Sequence, residues 1–190
     1  MTRPPREKKP PRPLTEERLR KAALHYLERF TTSAGNLRTV LERRVRKNAM
    51  AGLETPEAEA WIERIVTSLV AAGVIDDRAY AEMRAASLVR AGRSRARIKA
   101  TLQQKRVDPA ALDGALEQLQ EDQPNADLVA AVNFARRRRL GPYAVGDRAA
   151  RRLKDMAALA RAGFSSAIAR RVVDAEDIEA LTAQLEDDPS

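Results

Sequence analysis

Apolar residues recur along this chain at the spacing of amphipathic helices. Ile62, Ile65, Val66 and Leu69 stand at i, i+3, i+4 and i+7, which places them on one helical face. Similar stripes are formed by Leu19, Ala23, Tyr26, Leu27 and Phe30, by Leu37, Val40, Leu41 and Val45, by Tyr80, Met83 and Leu88, by Ile98 and Leu102, and by Leu112, Ala115, Leu116 and Leu119. β-Branched runs are too short for strands. The pattern predicts an all-α protein with these residues in its cores.

The helical segments repeat. Pairs that share an offset of 61 residues are Leu27 with Leu88, Leu37 with Ile98 and Leu41 with Leu102. Pairs that share an offset of 57 are Leu102 with Leu159, Val107 with Phe164 and Asp108 with Ser165. A constant offset is typical of a duplicated structural unit. We therefore expect three tandem three-helix repeats that form an elongated, curved body, over residues 15–75, 76–122 and 123–190, the last with a C-terminal extension.

The first 14 residues have a different composition from the rest of the chain. Residues 1–13 mix proline with arginine and lysine and offer almost nothing to bury, so we expect a disordered basic tail. Such a tail either serves as a solubilising extension or makes loose contacts with nucleic acid phosphates.

Glycines and short polar residues divide the helices. Gly73 follows one apolar stripe and is suited to a helix C-terminus, and Asp76 or Asp77 is suited to cap the next N-terminus. We interpret these two carboxylates as caps rather than as catalytic groups or metal ligands. Gly92 ends the following stripe, and Ser94 is the expected N-cap of a helix over residues 96–105.

Positive charge is concentrated in two places. The chain has 35 Lys and Arg against 27 Asp and Glu, a formal charge of +8, which favours an anionic partner. Residues 76–107 hold nine basic and three acidic residues, and residues 136–154 hold eight basic residues and one acid. The first basic cluster consists of Arg93, Arg95, Arg97, Lys99 and Lys105. The second basic cluster consists of Arg136, Arg137, Arg138, Arg139, Arg148, Arg151, Arg152 and Lys154. Each predicts a binding surface, with an unoccupied solvated face as the alternative.

The sequence offers little for catalysis. It has no cysteine, a single histidine (His25), no glycine-rich phosphate loop and no zinc-protease motif. We therefore expect a protein without enzymatic activity, cofactor or metal. No apolar run approaches a membrane span, and the N-terminus has no hydrophobic signal segment, so we expect a cytoplasmic protein without membrane contact.

Two stretches of the sequence carry a family resemblance. The first runs from Leu69 through Gly73, Asp76 and Asp77 to Tyr80; the second runs from Gly92 through Arg93, Arg95, Arg97, Ile98 and Leu102 to Lys105, Arg106 and Val107. In order and spacing they resemble the central segment of the RecX family, bacterial regulators of the RecA recombinase. The similarity extends over about residues 18–175 and includes the Arg-Ala-Gly-Phe-Ser phrase at residues 161–165. Two positions depart from the family pattern: Arg106 stands where glycine is usual, and Asn36 stands where glutamate is usual.

The resemblance implies a function. Proteins of this family bind RecA and the RecA–DNA filament, lie along its groove, and suppress its ATP hydrolysis, strand exchange and co-protease activity. They thereby limit recombination and the SOS response. On this basis we expect a monomer whose two basic clusters contact RecA or the RecA–ssDNA filament, with direct contact to DNA left open.

Two other hypotheses remain. A sequence-independent DNA-binding protein would share the positive charge, but it would bind bare DNA tightly, with strong salt dependence and no preference for RecA-coated DNA. An enzyme with an unfamiliar site is the third hypothesis.

Overall fold

The computed structural model describes residues 13–186 and contains only helices there. The described residues form ten α-helices and one short 3-10 turn, without a strand, which confirms the predicted all-α class. The predicted N-terminal tail lies, apart from residues 13 and 14, outside the described residues. The helices are α1 Glu16–Leu27, α2 Ala34–Ala49, α3 Ala58–Ala71, α4 Asp77–Arg90, α5 Arg95–Gln104, α6 Pro109–Asp122, α7 Ala126–Arg138, α8 Arg148–Arg161, α9 Ser166–Val173 and α10 Ile178–Glu186, with the 3-10 turn at Gly141–Tyr143.

The helices belong to two compact units, one within Met1–Asp76 and one within Asp77–Ser190. In the first unit, α1, α2 and α3 enclose a core in which Leu19, Leu37 and Val66 are fully buried. Thr15 is the N-cap of α1, because its hydroxyl accepts a hydrogen bond from the Arg18 amide. Exposed ion pairs such as Arg64 with Glu16 join α3 to α1 at the surface. The apolar stripes therefore assemble this unit much as the sequence predicts.

Asn36, one of the two departures from the family pattern, has a structural role in the first unit. Its side-chain amide donates to the Tyr26 hydroxyl at 3.2 Å and to the Thr32 hydroxyl at 2.7 Å. Its backbone amide donates to Ser33, the N-cap of α2. Asparagine thus ties the start of α2 to α1 through neutral hydrogen bonds.

Two apolar residues assigned to cores are exposed instead. Phe30 is 49% exposed, because α1 ends at Leu27 and the chain has left the helical path by that point. Met83 is 51% exposed, since the buried face of α4 is formed by Tyr80 and Leu88 together with small residues. The stripe prediction was wrong at both positions. On α4, alanines that a hydrophobicity pattern weights weakly form much of the packed surface.

The second unit has one continuous core. α4 packs against α5, α6 and α7, and α9 packs against α7 and α8. Buried residues of this core run from Tyr80 to Leu181, so the second and third predicted repeats share it. α10, which the sequence analysis does not identify, contributes the fully buried Leu181, and its Leu185 carbonyl accepts a hydrogen bond from Asn125.

Helix starts recur at the predicted offsets. α2 and α5 follow the buried N-caps Ser33 and Ser94, which stand 61 residues apart. α6 and α9 follow the N-caps Asp108 and Ser165, which stand 57 residues apart. The local structure at these positions agrees with a duplicated unit, whereas the division into three repeats stays a prediction.

The turn after α5 keeps its tight geometry without the glycine usual in the family. Arg106 has φ +50°, in the left-handed region that glycine adopts most easily. The Val107 amide still reaches the Leu102 carbonyl at 3.2 Å. Arginine therefore accepts a backbone strain at this position, and the turn is retained.

The turn after α4 passes close to the backbone of α7. Gly92 has φ +63°, and a Cβ there would lie 2.9 Å from the Phe134 nitrogen and 3.0 Å from the Ala130 carbonyl oxygen. The same Cβ would overlap the guanidinium of Arg137, which donates to the Ala91 carbonyl. Neither backbone atom can move without disturbing α7, so only glycine fits.

We predict that Gly92→Ala lowers the free energy of unfolding by roughly 2–4 kcal/mol, from left-handed strain and overpacking together. Gly114→Ala is the matched control, because Gly114 lies in α6 with open space around it. There, alanine should be neutral or stabilise by up to about 1 kcal/mol. Chemical denaturation followed by circular dichroism measures both. Equal effects of the two substitutions would contradict the proposed close approach.

Candidate anion-binding groove

Four helices of the second unit border a groove of about 760 Å³. Five arginines line it: Arg84 on α4, Arg93 in the α4–α5 turn, Arg97 on α5, Arg138 on α7 and Arg161 at the end of α8. No aspartate or glutamate is among the residues that line it. We call this site the arginine groove. Its lining favours an anionic ligand.

A buried serine holds two turns of the groove together. The Ser94 hydroxyl donates to the Ala162 carbonyl at 2.8 Å and accepts from the Arg97 amide at 3.4 Å. Gly163 follows at φ +90°, and a Cβ there would lie 2.7 Å from the Ser94 oxygen. The α4–α5 turn therefore docks directly on the turn after α8. This docking brings Arg93 and Arg97 to the same groove as Arg161.

The guanidinium groups of the groove differ in whether they already have a hydrogen-bond partner within the protein. The Arg97 Nη2 donates to the Arg161 carbonyl at 3.3 Å, which holds that side chain across the docked turns. The side chains of Arg93 and Arg161 are exposed and have no hydrogen-bond or ion-pair partner within residues 13–186. Their donors remain available to a ligand.

One side of the groove is apolar. It is formed by Phe134 together with Leu88, Leu140 and Ala158. The Arg138 guanidinium carbon lies 6.0 Å from the centroid of the Phe134 ring, and the Phe164 ring centroid lies 5.9 Å from it. A guanidinium at this distance is attracted to the ring by a cation–π interaction. Phe134 therefore helps to position Arg138 at the groove.

Comparison with known proteins assigns the chain to a family. The family model described as "RecX, second three-helix domain" matches residues 76–116. Regulatory protein RecX of Myxococcus xanthus is 41% identical over 169 residues, which cover 87% of this chain and 89% of that relative. Regulatory protein RecX of Agrobacterium fabrum is 36% identical over 165 residues, which cover 84% and 86%. This chain belongs to the RecX family. The resemblance found in the sequence is thus confirmed, and both relatives are named as regulatory proteins.

No solved structure gives a significant match to this RecX-family chain. Within residues 13–186, no helix is long and apolar enough to cross a membrane. No group of three or more histidine, aspartate or glutamate side chains in that part of the chain could hold a metal ion. Asp77, interpreted as a cap, lies at the first position of α4, and its carboxylate accepts a hydrogen bond from the Asp108 amide at 2.9 Å.

The structure brings part of both predicted clusters to one site. Arg93 and Arg97 of the first basic cluster line the arginine groove with Arg138 of the second. Sequence analysis did not select Arg84 or Arg161. Arg161 opens the Arg-Ala-Gly-Phe-Ser phrase, which was a usable signal, whereas nothing in the sequence marks Arg84.

Other residues of the first basic cluster are engaged within the second unit. Arg95 is half-buried, and its guanidinium donates to the Leu116 carbonyl at 2.9 Å while its amide donates to Asp127 at 2.7 Å. Lys99 lies 3.9 Å from Asp113. Lys105 is half-buried at the C-terminus of α5. Arg95 therefore fixes the packing of α5, and these three residues do not line the groove.

The second basic cluster likewise contains residues that bind other parts of the protein and residues that are exposed to solvent. Arg136 donates to Asn133 at 3.3 Å, Arg137 donates to the Ala91 carbonyl, and Arg139 is an exposed left-handed C-cap of α7. Arg148 donates to three carbonyls at and just beyond the C-terminus of α9, those of Val173, Ala175 and Glu176. On α8, Arg151 lies 4.0 Å from the buried Asp155, and Lys154 is exposed.

Arg152 forms the best-aligned ion pair of this cluster. Its Nε and Nη2 donate to the two Asp174 oxygens at 2.7 and 2.6 Å. These hydrogen bonds lower the pKa of Asp174 from its ordinary value and raise the pKa of Arg152. A bidentate pair of this kind joins α8 to the end of α9 and lies outside the arginine groove.

We predict a small acid-sensitive contribution from this pair. Because the pKa of Asp174 is lowered on folding, its stabilisation is present above the carboxylate's unfolded pKa and is lost as pH falls through the lowered value. Both side chains are over a third exposed, so solvent screening should keep the effect small. Asp174→Asn should therefore be less stable than wild type at pH 7 and equally stable in strong acid, as measured by urea unfolding. A difference that grows with acidity would contradict this assignment.

Proposed function

We propose that this RecX-family chain regulates the RecA recombinase by binding RecA and the RecA–ssDNA filament. The proposed consequence is inhibition of RecA's ATP hydrolysis, strand exchange and co-protease activity, with effects on recombination, DNA repair and the SOS response. The chain acts by occupying a surface rather than by catalysing a reaction, and it acts as a monomer in the cytoplasm. Membership of a family of regulatory proteins supports this proposal.

The observation that carries the proposal is the meeting of both basic clusters at one groove without acidic lining. A nucleoprotein filament presents a dense array of phosphates and carboxylates, and guanidinium forks bind both groups well. Arg93, Arg97, Arg138 and Arg161 are the proposed main contacts. The exposed Arg136, Arg139 and Lys154 are proposed as flanking contacts.

The arginines and lysines that the second unit already engages are weaker candidates. Arg95, Lys99, Arg137, Arg151 and Arg152 have partners inside that unit, and using them would first break those contacts. A regulator with several cationic surfaces along a polymer gains avidity, because each contact raises the effective concentration of the next. This favours inhibition through many modest contacts.

We predict that the double charge reversal Arg93→Glu and Arg161→Glu raises the concentration needed to inhibit RecA ATPase on single-stranded DNA by roughly tenfold or more at physiological salt. Arg43→Glu and Arg44→Glu form the matched control, because both arginines are exposed on α2 and the change in net charge is the same. Circular dichroism and thermal melting verify folding. Unchanged inhibition by the groove variant, or an equal loss in the control, would remove the groove from the mechanism.

Sequence-independent binding to nucleic acid alone remains the rival function, since an acid-free arginine groove suits phosphates in either setting. Affinity for single-stranded DNA with and without RecA, measured at the same salt concentration, distinguishes the two. The proposed function requires tighter binding to the RecA-coated strand. Equal or weaker binding to it would favour the rival.

A further inference from the structure

The arginine groove combines positive charge with an apolar wall. A surface that only neutralises a polyanion needs cations alone, whereas this groove also presents Phe134, Leu88 and Leu140. Its volume of about 760 Å³ is within the range of small-ligand sites, roughly 300–1,000 Å³. Apolar walls with a few convergent polar groups are typical of sites that hold a defined chemical unit. The groove is therefore suited to a ligand that has both an anionic and a flat apolar part.

The cationic part of the site comes from the docked turns. Arg93 and Arg161 are exposed without internal partners in the described chain, and Arg97 is held in place by its hydrogen bond to the Arg161 carbonyl. The Ser94–Ala162 hydrogen bond fixes these turns to each other. Three guanidinium groups on a fixed backbone can bind phosphate oxygens in bidentate fashion at little conformational cost.

The apolar part of the site comes from α7. Phe134 is half-buried, supported on one side by the buried Phe164, and Arg138 lies against its ring. Aromatic rings and guanidinium planes are the two kinds of side chain on which nucleic acid bases stack. Phe134 and Arg138 together offer such a surface next to the phosphate-binding arginines.

We propose that the arginine groove is a nucleotide site, in which Arg93, Arg97 and Arg161 bind the phosphate and the Phe134–Arg138 surface receives the base. The nucleotide is either one unit of a single strand or a free nucleotide. Bases in a duplex are stacked and paired, so the site selects unpaired nucleotides. This inference deepens the proposed function, on which its biological meaning rests, because the strand in a RecA filament would be the natural source of such a unit.

Fluorescence anisotropy with a short labelled oligo(dT), in the absence of RecA, tests the proposal. A strand of the same length made of abasic sites carries the same phosphates without bases. We expect the abasic strand to bind at least about fivefold more weakly, since stacking is lost. Competition with free dTMP and dTDP identifies the source: displacement at similar concentrations indicates that the site accepts free nucleotides, and no displacement indicates a strand. Equal affinity for oligo(dT) and the abasic strand would overturn the proposal.

Variants locate the two parts of the site. Arg93→Gln with Arg161→Gln should reduce the salt slope of oligo(dT) binding by about 1.4, the value for two lost phosphate contacts on a single strand. Arg43→Gln with Arg44→Gln is the charge-matched control and should reduce the salt slope of oligo(dT) binding by less than the groove variant does. Phe134→Leu keeps apolar bulk without a ring, and should abolish the preference for oligo(dT) over the abasic strand.

The outcomes separate this proposal from the proposed function. If groove and control variants change the slope equally, the arginines do not form a phosphate site and the proposal fails. If Phe134→Leu folds and keeps the base preference, the base does not lie on Phe134 and the proposal also fails. If Phe134→Leu does not fold, the arginine variants and the abasic strand still decide. A protein that inhibits RecA but treats both strands alike would retain the proposed function and refute the nucleotide site.

Discussion

A hydroxyl group shielded from solvent joins the two turns on which the arginine groove depends. Ser94 is fully buried, caps α5 and donates to the carbonyl of Ala162. Such a buried donor–acceptor pair costs about 1–3 kcal/mol when one partner is removed, because the other is left unsatisfied. Gly163 permits this approach, since a Cβ there would overlap the Ser94 oxygen, and Gly92 lets the same α4–α5 turn lie against the backbone of α7. The positions of Arg93, Arg97 and Arg161 follow from this backbone arrangement.

Electrostatics inside the second unit decide which cations remain available. The guanidinium groups of Arg95, Arg148 and Arg152 donate hydrogen bonds to carbonyls or carboxylates of neighbouring elements, and these bonds hold helices together. Within the described part of the chain, the side chains of Arg93 and Arg161 have no such partner. A basic cluster in a sequence thus contains both structural and available charges, and the net charge of the cluster overstates its binding capacity.

Much of the fold follows from helical spacing and capping chemistry. Ser94 caps α5 in the predicted place, and Ser33, 61 residues earlier, caps the equivalent helix α2. The prediction of core residues failed where packing depends on small side chains. On α4, alanines form much of the buried face and Met83 is exposed. The sequence pattern also did not predict α10, because its apolar stripe is short and its burial comes from packing against α7.

The site was only partly predictable for a related reason. Charge density identified both clusters, but which arginines share a groove depends on contacts between residues more than 60 positions apart, such as Ser94 with Ala162. Arg84 and Arg161 join the groove through that tertiary arrangement. Conversely, Arg95 has the sequence context of a surface cation, and only its contact with the Leu116 carbonyl shows that it supports packing.

The central claim is that arginines from both clusters form one anion-binding site. NMR of the arginine Nε–Hε groups during titration with inorganic pyrophosphate tests it directly. The account predicts that the signals of Arg93, Arg97, Arg138 and Arg161 shift together along one binding curve, while those of Arg148 and Arg152 change little. Separate binding curves for Arg93 and Arg138, or shifts no larger than those of Arg43 and Arg44, would contradict it.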